Sequence, residues 1–242
     1  MISIKTDQEI QIMRRGGIIL KNIIDELVKF VKPGITTSDI NQLADQLVAG
    51  HSVKPAFLGF GGYPATVCTS VNDAVVHCLP SNQKLVDGDI ISLDMGIIYN
   101  GFNLDSAVSL PVLSDKSFLN QWSKDHPRES SLIDITEKAL YAGIEKIKPG
   151  NMIGDISEAI QKVGEQGGFT VVRDLVGHGI GRELHEEPEI ANFGSAKTGP
   201  VLLEGMTLAV EPIVTMGDWR LRVAKDGYSY YTKDGSRAAH FE

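Results

Sequence analysis

The sequence predicts an α/β chain of the α+β kind, with helices packed on antiparallel sheet and the pattern written twice around a pseudo-twofold axis. Three observations carry this. Helical periodicity stops at Lys-Pro-Gly in two places, Lys32-Pro33-Gly34 and Lys148-Pro149-Gly150. Pro33 precedes Asp39-Ile40 by the same step by which Pro149 precedes Asp155-Ile156. Gly88 stands six residues before Asp94, and Gly205 stands six before Glu211, each carboxylate lying in an apolar, strand-like run. A common offset of about 116 residues relates the halves, which reads as an internal repeat. Chance likeness of two helical segments is the competing reading, because Lys-Pro-Gly is a common stop.

The first helix covers residues 6–32. Thr6-Asp7-Gln8-Glu9 has the form of a capping box, and Ile10, Met13, Leu20, Ile23, Ile24, Leu27 and Phe30 recur mostly at three- and four-residue steps. A second helix turns Ile40, Leu43, Ala44, Leu47 and Val48 inward and ends at Gly50. Ile90–Asp94 reads as a strand, and Asn100-Gly101 as the two-residue turn of a hairpin. The polar stretch Ser114–Ser130 breaks both patterns and is expected to form a surface loop or insertion. Leu132, Ile135, Ala139, Leu140, Ile144 and Ile147 mark a third helix with these residues inward. Ile156, Ala159, Ile160 and Val163 mark a fourth, closed by Gly167-Gly168. Strand-like runs follow at Thr170–Val172, Leu208–Glu211 and Ala238–Glu242. A single domain over 1–242 is expected, its halves at about 6–110 and 131–242 and the 114–130 segment between them.

Bulk composition narrows the class. A chain of 242 residues that is 42% hydrophobic supports a sizeable core without staples. Two cysteines, Cys68 and Cys78, are too few for a secreted disulfide framework and read as small buried side chains. A net charge of −8 argues against a nucleic-acid surface covering the domain. No apolar run approaches the roughly 20 residues needed to cross a bilayer. The first residues show no basic segment leading into an apolar one, so no signal peptide is expected. These features together predict a cytoplasmic chain with no membrane or nucleic-acid partner.

Several polar residues sit where a buried strand penalises them. An unpaired charge there costs several kcal/mol, so a carboxylate such as Asp94 wants a cation. With Tyr99 opposite Phe102, Asp94 faces Ala107 and shares a sheet face with Asp105, diagonally placed. A bulge would spoil that register, and a hairpin with solvent-facing aspartates fits the same spacing. His178 lies among glycines in Val176-Gly177-His178-Gly179-Ile180-Gly181, where backbone and ligand can approach closely. His185-Glu186-Glu187-Pro188 follows, Glu211-Pro212 ends an apolar run, and Glu242 follows Ala238-Ala239-His240-Phe241. His77 comes after Ala74-Val75-Val76. Singly, each has a bland reading as a surface or satisfied core residue. As a set, four carboxylates and a histidine suit two divalent first-row ions, which can hold a hydroxide and polarise a carbonyl. The G-x-S-x-G elbow of serine hydrolases and the phosphate-loop pattern are both absent from the sequence.

At these residues the chain closely resembles the type I methionine aminopeptidases. The matching stretches are Tyr63–Asp73 running to His77, Asp94 with Asp105, Gly177–Gly181, His185–Pro188, Glu204-Gly205-Met206 and Glu211-Pro212. The likeness covers nearly the whole chain apart from 114–130. It implies the pita-bread fold and a dinuclear site of Asp94, Asp105, His178, Glu211 and Glu242, with cobalt, manganese, iron and zinc all compatible. It implies removal of the initiator methionine from nascent polypeptides when the second residue is small, by attack of a metal-bridged hydroxide. Glu211 would also serve as base, His185 would donate to the scissile carbonyl, and His77 would contact the leaving amide nitrogen. The free α-amine would reach one metal. Phe57, Phe60, Tyr63, Leu184 and Tyr228 would line the methionine pocket, although each also reads as a core residue. The ribosome is a candidate partner, and a monomer is expected. The stretch from His178 to Glu211 has no room for the large insertion of type II enzymes. Members of that family continue into a further strand beyond the position of Glu242, so the natural chain is expected to continue. Two other readings of the same fold are a proline-directed peptidase and a binding protein that has lost catalysis. The first needs a large N-terminal domain, and the second predicts a missing ligand.

Overall fold

A computed structural model describes residues 2–242. Helix α1 (Asp7–Phe30) starts at the capping box read from the sequence. Glu9 N donates to Thr6 Oγ1 at 3.4 Å, and Thr6 N donates back to the Glu9 carboxylate at 2.9 Å. Met13, Leu20, Ile23, Ile24 and Leu27 form its buried stripe. Helix α2 (Thr37–Gly50) buries Ile40, Ala44 and Val48. Strands β1 (Lys54–Pro55), β2 (Cys68–Val71), β3 (Ala74–Val76), β4 (Ile90–Tyr99) and β5 (Phe102–Pro111) follow. In the second half, α3 (Leu119–Asp125), α4 (Pro127–Ile144) and α5 (Ile153–Gln166) precede β6 (Thr170–Val171), β7 (Val176–Gly179) and β8 (Glu186–Ala191). The last strands are β9 (Leu208–Ala209), β10 (Ile213–Thr215), β11 (Leu221–Val223), β12 (Tyr230–Thr232) and β13 (Ala238–His240). Every strand pairing is antiparallel.

The repeat is visible in the backbone. Gly34 and Gly150 both take φ +91°. Gly34 N donates to Leu85 O at 2.8 Å, and Gly150 N donates to Leu202 O at 3.1 Å. Thr36 bridges Lys84 and Met152 bridges Val201. Asp39 and Asp155 then accept from Thr36 N and Met152 N, both at 2.7 Å. Each half also has its own core. Helices α1 and α2 pack on β2, β4 and β5 around Leu20, Ile23, Ile91 and Leu93. Helix α4 packs on β10 and β13, and α5 on β6 and β8, around Leu132, Ile156, Ile160 and Val214.

Two expectations need correction. Ile144 and Ile147 are 43% and 38% exposed, not inward. The buried line of α4 runs Leu132, Thr136, Ala139, Leu140, Gly143, so Gly143 takes the inward place given to Ile144. A methyl group on Gly143 would lie 3.1–3.2 Å from Ile160 and Ile156, so α5 packs too close for a side chain there. Residues 114–130 are mostly helical, forming α3 and the first turn of α4 instead of a loop. Trp122 is the apolar anchor of α3, 6% exposed, and its other side chains face water. Among the described residues, no helix is long and apolar enough to cross a membrane.

Candidate metal centre

The β4–β5 hairpin runs ten residues a side without a bulge. Tyr99 faces Phe102 and Asp94 faces Ala107, which sets Asp105 two residues along on the same face. Both turn residues are left-handed, Asn100 at φ +49° and Gly101 at φ +80°, as a two-residue hairpin of this twist requires. The second half repeats the diagonal: His178 on β7 faces Ala209 on β9, and Glu211 stands two residues past Ala209. Ile213 pairs with His240, and extending that register by two residues brings Glu211 across from Glu242. Hydrogen bonds across the seam hold the two sets together. Glu242 N donates to Ala107 O at 3.0 Å, Asn103 N to Gly181 O at 2.7 Å, and Ser106 Oγ to Glu242 O at 3.1 Å.

The glycines flanking His178 allow close approach, as their sequence context suggested. A Cβ on Gly177 would lie 2.5 Å from Ala209 O and 3.3 Å from Glu211 Cγ. One on Gly179 would collide with the Glu187 carbonyl. The His178 ring is oriented by its neighbour's carbonyl, with Nδ1 2.8 Å from Gly179 O. Donation from Nδ1 leaves the Nε2 lone pair free, 3.5 Å from Glu211 Oε1.

Asp105, His178 and Glu242 each offer a ligand atom within 4.8 Å of the others. Asp94 and Glu211 line the same cavity. Burial raises the Asp94 pKa well above the carboxylate range, and Asp105 adds to it. Burial does the same for Glu211 and Glu242, reinforced in each by the neighbouring carboxylates. Asp105 is pushed up to about 7, again chiefly by burial, with a backbone hydrogen bond from Ser106 pulling the other way. Asp94 Oδ1 and Glu242 Oε1 are buried with no hydrogen-bond partner. Crowded carboxylates with orphaned oxygens, beside an imidazole with a free lone pair, fit divalent cations.

All twelve residues singled out from the sequence line one cavity of about 220 Å³, with Gly61 and Cys68. Phe57, Tyr63 and Leu184 are buried at 9%, 7% and 4%, while Phe60 is 45% exposed at the rim. Tyr63 meets Tyr228 edge-on at 5.6 Å. His185 sits edge-on between Phe60 at 5.0 Å and His178 at 4.4 Å. Desolvation between those rings lowers its pKa, although the residue as a whole stays exposed at the cleft. Sequence reasoning missed Cys68 as a wall residue. The strand register is what reveals it, since Cys68 pairs with Asp94 across β2 and β4. It also missed an adjoining cleft that shares His77, His178, His185 and Glu211 with the first cavity and adds Val176, Glu186, Glu187 and Glu189.

Two helix-on-sheet halves that meet over a histidine and four crowded carboxylates define a metal-dependent hydrolase of the pita-bread class. Comparison with known proteins agrees. Residues 11–242 match the model of metallopeptidase family M24. A methionine aminopeptidase of Clostridium perfringens is 43% identical, the alignment covering 100% of this chain and 93% of that protein. The crystal structure of a methionine aminopeptidase from Thermotoga maritima superposes with a TM-score of 0.91 at 45% identity, covering 100% of this chain and 93% of that one. An Xaa-Pro dipeptidase of Bacillus anthracis shares the fold alone, at 21% identity and a TM-score of 0.72, and this chain covers 57% of it. The chain belongs to the methionine aminopeptidases of metallopeptidase family M24.

Proposed function

We propose that this chain hydrolyses the first peptide bond of nascent polypeptides, releasing an N-terminal methionine when the second residue is small. The observation that carries the reading is the joining of two surfaces in one cavity. A wall of crowded carboxylates meets an apolar pocket of Phe57, Phe60, Tyr63, Leu184 and Tyr228. The pocket suits a flexible thioether side chain, and an ion held by the carboxylates would accept the lone pair of the α-amine that only a chain end carries. Asp94, Asp105, His178, Glu211 and Glu242 would hold two divalent ions, which supply Lewis acidity to water and to the scissile carbonyl when bound. Glu211 takes the proton of the attacking water on a carboxylate oxygen and passes it to the departing amide nitrogen. His185, neutral because its pKa is lowered, donates a hydrogen bond to the carbonyl oxygen as negative charge develops there. His77, which lines both the cavity and the adjoining cleft, contacts the leaving nitrogen. Cytoplasmic location, monomeric state and contact with the ribosome accompany this reading and are open to test by fractionation, sizing and cosedimentation.

The test is metal removal followed by a substrate series. Chelator-treated protein should release no methionine from a Met-Ala-Ser peptide and should recover with added divalent metal. A Lys-Ala-Ser peptide should be cleaved at least about a hundredfold more slowly, since burying an unpaired charge in the apolar pocket costs several kcal/mol. Full activity after verified loss of all metal, or a preference for Lys, would overturn the reading.

A further inference from the structure

The loop Gly181–Glu186 carries both Leu184 of the pocket and His185, and its outer face is held by a buried charge from the far end of the chain. Lys5 Nζ lies 2.5 Å from Glu186 Oε2, with side chains only 3% and 13% exposed. The other Glu186 oxygen accepts from Glu183 N at 3.2 Å, which closes the loop on itself. Lys5 is built into this position. Its backbone N donates to Gly205 O at 2.8 Å, and its Cε and Nζ fill the space where Gly181 has no side chain. Burial opposes charge on Glu186, yet the hydrogen bond from Lys5 keeps its pKa below the ordinary value. An outlying pair, Arg182 with Glu9 at 2.9 Å, is largely exposed on the arginine side and so holds the loop less firmly.

We infer that Lys5 is a positioning residue for catalysis: through Glu186 it fixes the loop that presents His185 and Leu184 to the substrate. This rests on the role given to His185 above. A buried ammonium–carboxylate pair adds little net stability, but removing one partner leaves the other charge uncompensated, and the loop must move to solvate it. Displacement of about 1 Å at a catalytic group costs on the order of a hundredfold in rate. Lys5 touches neither the cavity nor the carboxylates, so its loss should leave metal content unchanged.

The experiment compares Lys5→Met, Lys5→Arg and Glu186→Gln in the full chain, each also in a His185→Ala background. Amide hydrogen exchange is followed in the metal-free protein, together with kcat and KM on Met-Ala-Ser. Lys5→Met should speed exchange in residues 181–186 without speeding it in β4 and β5, and should lower kcat about tenfold or more. Lys5→Arg should recover most of that loss, and Glu186→Gln, whose one amide oxygen can still accept from Glu183 N while its NH2 faces Lys5, should fall between. In the His185→Ala background the Lys5→Met loss in kcat should shrink to under about twofold, because both changes act through one group. Unchanged exchange in the loop, or an equal Lys5→Met loss in both backgrounds, would overturn the inference. Should Lys5→Met fail to fold, Lys5→Arg and Glu186→Gln decide it alone by the same two readouts. A harmless His185→Ala would instead overturn the role of His185.

Discussion

Glu211 and His185 border the same cavity but separate cleanly by chemistry. Glu211 has carboxylate neighbours, packs over Gly177 and faces His178 Nε2, and the proposed function gives it both a metal to hold and a proton to move. His185 lies against two rings and has no carboxylate role. Glu211→Gln removes the proposed base and one proposed anionic ligand, and kcat should fall by at least about 10³-fold, with weaker metal binding. His185→Ala should lower kcat by about 10²–10³-fold, the usual loss for one hydrogen-bond donor to a developing oxyanion, with metal content unchanged. Metal analysis beside steady-state kinetics separates the two, and a metal-depleted His185→Ala with an active Glu211→Gln would reverse the assignment. Which residues reach the cavity was legible in the sequence because burial of a charge is costly, so Asp94 and Asp105 announce a cation by where they stand. Cys68 and Lys5 gave no such signal. A buried thiol is ordinary, and a lysine near a chain terminus reads as solvated until its partner, 181 residues away, is brought to it.

Among the secondary elements, those fixed by local rules were legible and those fixed by packing were not. The capping box, the first Lys-Pro-Gly stop and the Asn-Gly hairpin are set within four residues and formed as read, whereas α4 ends at Ile144, short of the second Lys-Pro-Gly. The inward face of α4 was misread because Gly143, not an apolar side chain, meets α5. The 114–130 segment was misread because one buried tryptophan gives no periodicity to detect. In the hairpin, Gly101 at φ +80° is the residue whose conformation costs an ordinary side chain about 1–2 kcal/mol. Gly101→Ala should therefore lower Tm by roughly 2–8 °C in a chain of this size. The hairpin carries Asp94 and Asp105, so metal affinity should weaken too. Thermal melts with and without metal test this; an unchanged Tm in both would mean that the turn does not fix the hairpin.

For the whole molecule, the two halves share a seam that is electrostatically unfavourable without cations, and this gives the metal-free protein a particular response to pH. Two sets of groups act in opposite directions. His178 and His240 are lowered to about 4 and about 3 by burial, so between there and their ordinary 6.5 the unfolded chain binds more protons, and stability rises with pH. Asp94, Asp105, Glu211 and Glu242 are raised, so the folded state binds more protons, and their contribution is lost as pH rises through the folded values. Below pH 6.5 the two sets offset each other. Above it these histidines are neutral in both states and the carboxylates alone remain: the loss from Asp105 is complete near 7, and Asp94, Glu211 and Glu242, held well above the ordinary carboxylate range, carry the fall onward. Chelator-stripped protein should therefore lose stability from pH 6.5 to 8.5. One net proton corresponds to about 1.4 kcal/mol per pH unit, or roughly 2–4 °C in Tm per kcal/mol for a chain of this length. With divalent metal bound, the carboxylates are ionised at neutral pH, and binding that releases protons strengthens as pH rises, so the fall should flatten or reverse. Melts of stripped and metal-loaded protein at pH 6.5, 7.5 and 8.5 measure the difference. A stripped protein whose Tm holds level or climbs across that range would mean that the four carboxylates are not crowded at the seam.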